Sequence, residues 1–417
     1  MRLPPAPASR RFLFLQGPIS PFFAEIAAGL RALGHATHRI NLCLGDRLFW
    51  RGPGAVDYRG RPEDWPGFVA AFLDAQAITD LVLLGEQRPY HRAAIAAARA
   101  RGIAVTVTDF GYLRPDWIVL ERDGMNAESR FPRDPAAIRA LAAACPPRET
   151  ARRFQDDFAR QARWDVTFHL ASLLPFGFPH YRRWVLDHPL PAYAGTALRL
   201  LRRRRETRRA AALLETLRGR GPLYLFAMQM ENDYSIRAYS DYPDNDAAIA
   251  ETVGSFARGA GRDAQLLVKV HPLDPGLKDW RRRVARIAEA ACVGQRVHLL
   301  DGALHMDPAI LACRGVVTIN STLGLRAIEL GRATMALGRA LYALPGLTWQ
   351  GAHDDFWQEA PPPDAGFAED FLRAVAGCLQ VRGVYYARPG LDAAVAGTVA
   401  RLHLGLVNAP WDGVMVG

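Results

Sequence analysis

The chain has 417 residues, of which 50% are hydrophobic and 23% are charged. Lysine and arginine number 52 against 42 aspartates and glutamates, and the resulting net charge of +10 favours an acidic partner. This length predicts two domains, and the composition excludes a disordered, collagenous or disulfide-framework protein. The five cysteines are far apart and form no CxxC pair, which indicates a reducing compartment and disfavours a zinc or redox site.

No apolar run approaches the roughly 18 residues that a membrane-spanning helix needs. The N-terminal sequence MRLPPAPASRRFLFLQG contains basic residues, but its apolar part is too short for a signal peptide and is typical of a first strand. We therefore expect a cytoplasmic protein.

Strand-like runs alternate with helical patterns in the first half of the chain. RFLFLQG predicts a strand, PFFAEIAAGLRALG a helix that ends at Gly34, and HATHRINL a second strand. FVAAFLDAQ and YHRAAIAAARARG predict further helices, while DLVLLGE and IAVTVTD predict strands. Repeats of this spacing predict a parallel sheet with helices on both faces.

The second half repeats this alternation. Its predicted strands are PLYLFAM, AQLLVKV, RVHLLD, GVVTIN and ATMALG, and FAEDFLRAVAGCL predicts a helix near the end. A long helical segment is expected over residues 135–215. We expect an α/β, GT-B-like fold of two Rossmann-like domains that face each other across a cleft. The expected boundaries are 1–190 and 216–385 for the domains, 191–215 for a basic helical linker and 386–417 for a tail.

Polar residues at the predicted strand ends are the candidate site, because open parallel sheets bind ligands there. They are Gln16, Glu86, Asp109, Gln229, His271 and Asn320. Asp109 has a carboxylate that can deprotonate a sugar hydroxyl, although aspartate also forms turns. Arg88 suits a substrate carboxylate because its planar fork matches two oxygens, and the alternative is a helix-capping loop.

Three further residues of the first domain are expected near a substrate. His91 follows Arg88 at the same strand end. Arg114 and Glu121 lie in a segment that we expect to be a loop too polar to be core. Together with Gln16, these residues are expected to contact the substrate carboxylate or the acceptor.

The segment VVTINSTLGLRAIELG, residues 316–331, runs from a strand through Asn320, Ser321 and Thr322 into a helix. Two hydroxyls and free N–H groups at a helix N-terminus form an anion site suited to a phosphate, although serine and threonine are also ordinary N-caps. Glu329 follows one to two turns later, where a carboxylate can reach a ribose or a base.

The segment LLVKVHPLDPG places His271 before Pro272, so the ring remains in a loop after a strand. An imidazole there can donate to the phosphate of a departing nucleotide, and the alternative is a structural histidine. Lys269, in the same strand, and Gln229 complete the expected donor-binding residues.

Several motifs are absent or have a simpler interpretation. The sequence contains no GxGxxG, Walker A, HExxH or GxSxG motif. Asp244-Asn245-Asp246 is superficially similar to a DxD metal motif, but it leads into a helical pattern and is better interpreted as an N-cap. We expect neither a metal nor a cofactor.

Seven arginines lie within the segment LRLLRRRRETRR. They are Arg199, Arg202, Arg203, Arg204, Arg205, Arg208 and Arg209. Such a segment is a solvated helix face, a contact for an anionic membrane or charged glycan, or a contact for nucleic acid. The arginines have no interleaved aromatic residues, which disfavours nucleic acid.

Together these segments resemble the capsule polysaccharide biosynthesis/export family of the KpsS type, which comprises β-Kdo glycosyltransferases. The resemblance runs from FLFLQGPISPFF through EQRPYHRAAI, DFGYLRPDWIVLERDGMN and VKVHPLDPG to TINSTLGLRAIELG. It implies a GT-B fold, CMP-β-Kdo as donor, and a lyso-phosphatidylglycerol acceptor at the cytoplasmic face of the inner membrane. It also implies transfer with inversion of the anomeric centre.

Related transferases share an acidic-acidic-Gly motif, an HP motif and a Ser-Ser/Thr motif. His271-Pro272 and Ser321-Thr322 match the last two, whereas Phe110 replaces the second acid of the first. The resemblance therefore implies Asp109 as base and the other two motifs as the site of the CMP phosphate. Two alternatives remain open: a GT-B transferase of another nucleotide sugar, such as CMP-sialic acid, and a non-catalytic glycan- or lipid-binding scaffold that recruits other capsule export proteins.

Overall fold

The computed structural model of the protein describes residues 8–50, 52–183, 187–231 and 233–411. The chain divides into two compact units, and each is described separately below. Unit 1 comprises Met1–Trp184 and Asp370–Gly417, and unit 2 comprises Val185–Glu369.

The strands are numbered in chain order, with β1 to β6 and β12 in unit 1 and β7 to β11 in unit 2. They are β1 (Arg11–Phe14), β2 (Ala36–Asn41), β3 (Ala55–Asp57), β4 (Asp80–Leu84), β5 (Ala104–Phe110), β6 (Trp117–Arg122), β7 (Leu223–Ala227), β8 (Gln265–Lys269), β9 (Val297–Leu300), β10 (Gly315–Thr318), β11 (Ala333–Ala336) and β12 (Gln380–Arg382).

The helices are numbered in the same way. They are α1 (Phe22–Ala32), α2 (Leu44–Phe49), α3 (Trp65–Ala75), α4 (Pro89–Arg99), α5 (Pro135–Ala144), α6 (Phe158–Ala171), α7 (Pro189–Leu217), α8 (Tyr234–Tyr239), α9 (Asn245–Gly259), α10 (Trp280–Ala290), α11 (Met306–Ala312), α12 (Thr322–Glu329), α13 (Phe356–Glu359), α14 (Ala365–Leu379) and α15 (Gly390–Leu404).

The unit 1 sheet has the order β12-β6-β5-β4-β1-β2-β3, which contains the Rossmann order 3-2-1-4-5. Strands β1 to β5 are parallel, and β6 is antiparallel to both of its neighbours. Alternate residues of β1 enter two separate cores: Phe12 and Phe14 pack with α1 and α15, and Leu13 packs with α3 and α4. The predicted coverage of the sheet by helices on both faces is confirmed.

The unit 2 sheet has the order β11-β10-β7-β8-β9 and is parallel throughout. With β7 counted as its first strand, this is again the Rossmann order 3-2-1-4-5. Tyr224 and Phe226 pack with α9 and α10 on one face, and Leu225 packs with α7 and α12 on the other. The chain therefore has the expected fold class, with two Rossmann-like units of GT-B type.

The long helical segment expected over residues 135–215 is three helices, and residues 145–157 between α5 and α6 are not helical. Its last part, expected as a linker over 191–215, is the helix α7, which belongs to unit 2. Arg199 anchors α7 because it donates to Asp274 Oδ1 at 3.1 Å and to Asp301 Oδ1 at 2.6 Å.

The C-terminal residues also differ from expectation, since they complete unit 1 instead of forming a tail. Strand β12 pairs with β6 in antiparallel register. Helix α15 packs on α1 so closely that a Cβ on Gly29 would lie 2.8 Å from Val399 Cγ2. The expected end of the second domain at residue 385 therefore differs from the observed end at Glu369.

Candidate functional site

In the unit 2 sheet, β7 and β10 are neighbours, but the chain continues from β7 to β8 on one side and from β10 to β11 on the other. This reversal opens a crevice at the carboxyl ends of β7 and β10, where sheets of this type bind ligands. Gln229 follows β7 and Asn320 follows β10, and both are buried. Gln229 Oε1 accepts from the backbone N–H of Asn320 at 2.7 Å, and Gln229 Nε2 donates to Asp233 at 3.2 Å. The structure thus brings together two predicted residues that are 91 positions apart in the chain.

The Ser321–Thr322 turn opens helix α12 directly after Asn320. Ser321 Oγ accepts from the N–H of Leu323 at 3.2 Å, so it is the N-cap, as its ordinary interpretation predicted. The Ser321 carbonyl accepts from the hydroxyl of Tyr342 at 2.6 Å, which fixes the turn. Ser321 and Thr322 are both half-buried and directly follow Asn320 at the start of α12.

His271 follows β8 and is half-buried. Its Nδ1 accepts from the N–H of Leu273 at 3.2 Å, and its carbonyl accepts from the N–H of Asp274 at 3.0 Å. The first of these bonds assigns the proton of the neutral ring to Nε2. Pro272, directly after it, is exposed. The HP motif is therefore a tight turn that leaves Nε2 as the donating nitrogen.

Two residues that we expected to bind the donor have other contacts. Lys269 is buried, and its Nζ donates to the carbonyls of Gly302 at 3.0 Å and Val270 at 2.5 Å. Burial lowers the pKa of Lys269 to about 8, with the charge of Arg199 adding to this effect. Lys269 therefore joins the ends of β8 and β9 instead of reaching a ligand.

Glu329 is the last residue of α12, about 10 Å along the helix axis from Thr322. It accepts from Arg326 at 2.5 Å, and Arg326 also binds Asp307. Because α12 runs back from the carboxyl edge of the sheet, the structure places Glu329 away from the crevice and does not bring it to the predicted ribose position.

At the carboxyl edge of unit 1, Asp109 is half-buried near the end of β5. Its Oδ1 accepts from the N–H of Phe110 at 2.7 Å, and its carbonyl accepts from the Tyr385 hydroxyl at 3.0 Å. The register of β4 and β5 pairs Leu84 with Thr108, so Glu86 follows β4 beside Asp109. Burial raises the pKa of Glu86 to about 8, and the charge of Asp109 adds to the shift. Glu86 is therefore protonated at neutral pH.

Phe110, the position at which the resemblance implies a second acid, belongs to an aromatic cluster. Its ring centroid lies 5.2 Å from that of Tyr385 and 6.4 Å from that of Tyr386. The guanidinium of Arg114 stacks over the Phe110 ring at 5.1 Å and is exposed. Phe110 therefore holds the Arg114 guanidinium by a cation–π contact, where a second carboxylate would have held it by an ion pair.

Arg88 is half-buried and precedes α4 as its N-cap residue. His91, one turn later, is fully buried, and its Nδ1 donates to the carbonyl of Gly85 at 2.8 Å. Burial lowers the pKa of His91 to about 3, with the charge of Arg88 adding to this effect. His91 is thus a neutral residue that supports the turn after β4, whereas we expected a substrate contact.

Gln16 is buried after β1, where its Nε2 donates to Asp46 at 3.1 Å and to the Tyr181 hydroxyl at 3.3 Å. Sequence reasoning missed Asp46 and its partner Arg39, which form a buried ion pair at 3.1 Å. The sequence signal for this ion pair is Arg39 itself, which lies inside the apolar strand HATHRINL. A buried charge nearly always has a partner of opposite charge.

The expectation that Glu121 lies in a polar loop is wrong. Glu121 is fully buried in β6, where it accepts from the Tyr112 hydroxyl at 2.6 Å and from the Ser129 hydroxyl. Burial raises the pKa of Glu121 to about 7, and these two hydrogen bonds oppose the shift. The residue is part of the interior of unit 1.

The Asp244-Asn245-Asp246 segment caps α9, because Asp244 Oδ1 accepts from the N–H of Ala247 at 3.0 Å. The predicted N-cap is confirmed. Glu231, Asp244 and Asp246 do converge closely enough to hold a cation. Lys278 Nζ lies among them, 2.8 Å from Glu231 and 2.7 Å from Asp246, so its ammonium already neutralises the cluster.

The two sheets define the fold class of the protein: two Rossmann-like units in one chain, a GT-B-like architecture. Among the described residues, no helix combines the length and apolar character needed to cross a bilayer. A family model described as "Capsule polysaccharide biosynthesis protein" matches residues 79–386. The chain belongs to this family.

Curated relatives span nearly the whole chain. The capsule polysaccharide export protein KpsS of Escherichia coli is 31% identical over 91% of this chain and 97% of its own length. The capsule polysaccharide modification protein LipB of Neisseria meningitidis serogroup B is 28% identical over 91% of this chain and 93% of its own length. Among solved structures, the β-Kdo 2,7 transferase of Thermosulfurimonas dismutans KpsC aligns over 94% of this chain and 99% of its own, with 14% identity and a TM-score of 0.47.

Proposed function

We propose that the protein transfers Kdo from CMP-β-Kdo to a phosphatidylglycerol-type lipid acceptor, without a metal ion, in capsular polysaccharide assembly at the cytoplasmic face of the inner membrane. The observation that carries the proposal is the crevice of unit 2. There Gln229 holds the chain at Asn320, directly before two hydroxyls at the N-terminus of α12. This arrangement suits a nucleotide phosphate, and family membership connects it with capsule polysaccharide.

In this proposal His271 acts on the leaving phosphate. Its Nε2–H donates to a phosphate oxygen as the bond from that phosphate to the anomeric carbon breaks. The hydroxyls of Ser321 and Thr322 donate to the same phosphate. These neutral donors take over the charge stabilisation that a metal ion provides in other transferases.

Unit 1 supplies the groups that act on the sugar and the acceptor. Asp109 takes the proton of the acceptor hydroxyl, and Arg88 and Arg114 pair with the Kdo carboxylate. Because Glu86 is protonated at neutral pH, it adds no second negative charge beside Asp109. An anionic sugar therefore meets two cations and one carboxylate in the proposed site.

The stereochemical outcome decides the role of Asp109. CMP-β-Kdo and a β-linked product have the same anomeric configuration, so inversion and a β linkage exclude each other. Direct displacement with Asp109 as base gives an α-linked product. A β-linked product requires two successive displacements, the first by a carboxylate of the protein, and Asp109 is then the nucleophile. The NMR spectrum of the isolated product distinguishes the two routes.

The test uses the purified chain with CMP-Kdo and lyso-phosphatidylglycerol. We expect CMP and a Kdo-lipid as products, and Asp109→Asn should lower kcat at least about 100-fold while CMP affinity stays within about twofold. The matched control is Asp64→Asn, at an exposed aspartate, which should change neither value. Full turnover by Asp109→Asn refutes its role.

The same assay separates the alternatives. CMP should compete with the donor and UDP should not, and transfer from CMP-sialic acid in place of CMP-Kdo would change the assigned sugar. CMP or lipid binding without any transfer or donor hydrolysis would favour a non-catalytic scaffold.

A further inference from the structure

The two faces of helix α7 differ in character. The residues that contact the body of unit 2 lie on one side of the helix and include Arg199, Ala210, Leu213 and Leu217. Successive helical residues are 100° apart, so the residues opposite this face form one continuous stripe. The stripe consists of Leu190, Ala194, Leu198, Leu201, Arg205 and Arg208.

The first half of the stripe is apolar and faces solvent. Leu190, Leu198 and Leu201 are 56%, 46% and 84% exposed. The one charged side chain between residues 189 and 201 is Arg199, and it points inward to the carboxylates of Asp274 and Asp301. A contiguous group of exposed leucines of this kind marks a surface that a second body covers.

The second half of α7 is basic. Arg202, Arg203, Arg204, Arg205 and Arg208 are all exposed, and none has an ion-pair partner within the described part of the chain. At 1.5 Å per residue, the leucine half extends for about 17 Å and these arginines occupy about the next 10 Å. The helix thus presents an apolar segment followed directly by a dense positive charge.

The loop of residues 271–279, which begins with His271, enlarges the apolar surface. It packs on α7 so closely that a Cβ on Gly195 would lie 2.1 Å from the carbonyl oxygen of Pro275. The loop exposes Leu273 and Leu277, and Leu277 Cδ2 is 3.8 Å from the same Cβ position. The exposed leucines of the loop and of the helix therefore lie in one region of unit 2.

We propose that α7 and the loop of residues 271–279 form a docking surface for an anionic phospholipid bilayer. The leucines enter the boundary between headgroups and acyl chains, and the unpaired arginines bind lipid phosphates. Charge complementarity selects this occupant, because an apolar protein partner would leave the arginines without counter-charges. The inference gives the proposed function its membrane contact and places the His271 loop at the surface from which a lipid acceptor is taken.

Vesicle co-sedimentation of the full chain, without donor, tests the surface. The chain should bind vesicles of equal parts phosphatidylcholine and phosphatidylglycerol at least about tenfold more tightly than phosphatidylcholine vesicles. Arg204→Glu with Arg205→Glu should weaken binding about 100-fold, and Leu198→Ser with Leu201→Ser about tenfold. The matched control is the same charge reversal at two other exposed arginines, Arg92→Glu with Arg262→Glu, which should remain within about twofold of wild type.

The proposal is overturned if wild type shows no preference for anionic vesicles, if the arginine pair and its control lose binding equally, or if the leucine pair has no effect. Binding of single-stranded RNA as tight as binding of anionic vesicles also overturns it in favour of nucleic acid. The donor site is checked by CMP affinity, which every variant should retain. If wild type binds the vesicles as expected but forms no Kdo-lipid, the proposed function fails and the docking surface stands.

Discussion

Replacing Glu121 by glutamine should stabilise unit 1 at alkaline pH. Glutamine preserves both contacts, since its oxygen accepts from Tyr112 and its amide donates to Ser129 Oγ, which already accepts from the N–H of Phe131 at 3.1 Å. What the substitution removes is a carboxyl group that has to ionise inside the protein. The benefit should therefore depend on pH.

The magnitude follows from the two pKa values of Glu121. Burial raises its pKa from 4.5 to about 7, so between these values the unfolded chain has lost the proton and the folded chain retains it. Stability consequently decreases as the pH rises through this window. The difference between the two pKa values corresponds to a loss of about 3 kcal/mol in the free energy of unfolding. About 2 kcal/mol of this loss falls between about pH 5.5 and 8.5.

Native-state hydrogen exchange of peptides that cover β5 and β6 reports the opening free energy of this region directly. The advantage of Glu121→Gln over wild type should grow by about 2 kcal/mol between the two pH values. The exposed control Glu63→Gln should show no such growth. If the opening free energy of Glu121→Gln exceeds that of wild type by the same amount at both pH values, the reasoning is refuted. A sharp loss of transferase activity in this variant would show that Glu121 takes part in the candidate site.

Four further outcomes are expected. Gln229→Ala removes an acceptor in the crevice and should weaken CMP binding about tenfold by calorimetry, and unchanged affinity would separate this residue from the phosphate site. Arg199→Ala leaves a buried carboxylate unpaired and should lower the free energy of unfolding of unit 2 in urea by about 3 kcal/mol, against less than about 0.5 kcal/mol for Arg202→Ala. The pKa of Lys269 is lowered from 10.5 to about 8, so the free energy of unfolding of wild type should rise with pH in this window. The free energy of unfolding of Lys269→Met relative to wild type should therefore fall by about 2 kcal/mol between about pH 7.5 and 10. A difference that stays constant contradicts this. Cys292 is the one exposed cysteine of the five, so a thiol reagent should titrate one thiol per folded chain, and a second rapid reaction would contradict the burial of the others.

The parallel strands and their helices could be predicted from sequence because buried strands of this type are continuous apolar runs. Strand β6 could not, since WIVLER has charged residues at one end and its pairing with β5 is antiparallel. The burial of Glu121 depends on Tyr112 and Ser129, whose contacts with it are set by the tertiary fold. Local periodicity contains no information about such contacts.

In the candidate site, too, some features could be predicted from the local sequence and others depend on the tertiary fold. The strand-end rule selected both Gln229 and Asn320, because it depends only on where each strand ends. The same rule cannot tell an exposed side chain from one that is buried behind the edge, as His91 and Gln16 are. Glu329 was misplaced for a simpler reason, since its distance from Thr322 along α12 carries it away from the edge.

Unit 1 is assembled from the two ends of the chain, with all of unit 2 inserted between them. On the ribosome, the 185–369 stretch is therefore available as an uninterrupted folding unit while the first unit still lacks β12 and α15. Until those last elements emerge, β6 has an unpaired outer edge and the face of α1 that α15 later covers is open to water. The nascent chain thus carries an incomplete first domain while all of unit 2 is synthesised, the stage at which unpaired edges attract chaperones or other chains.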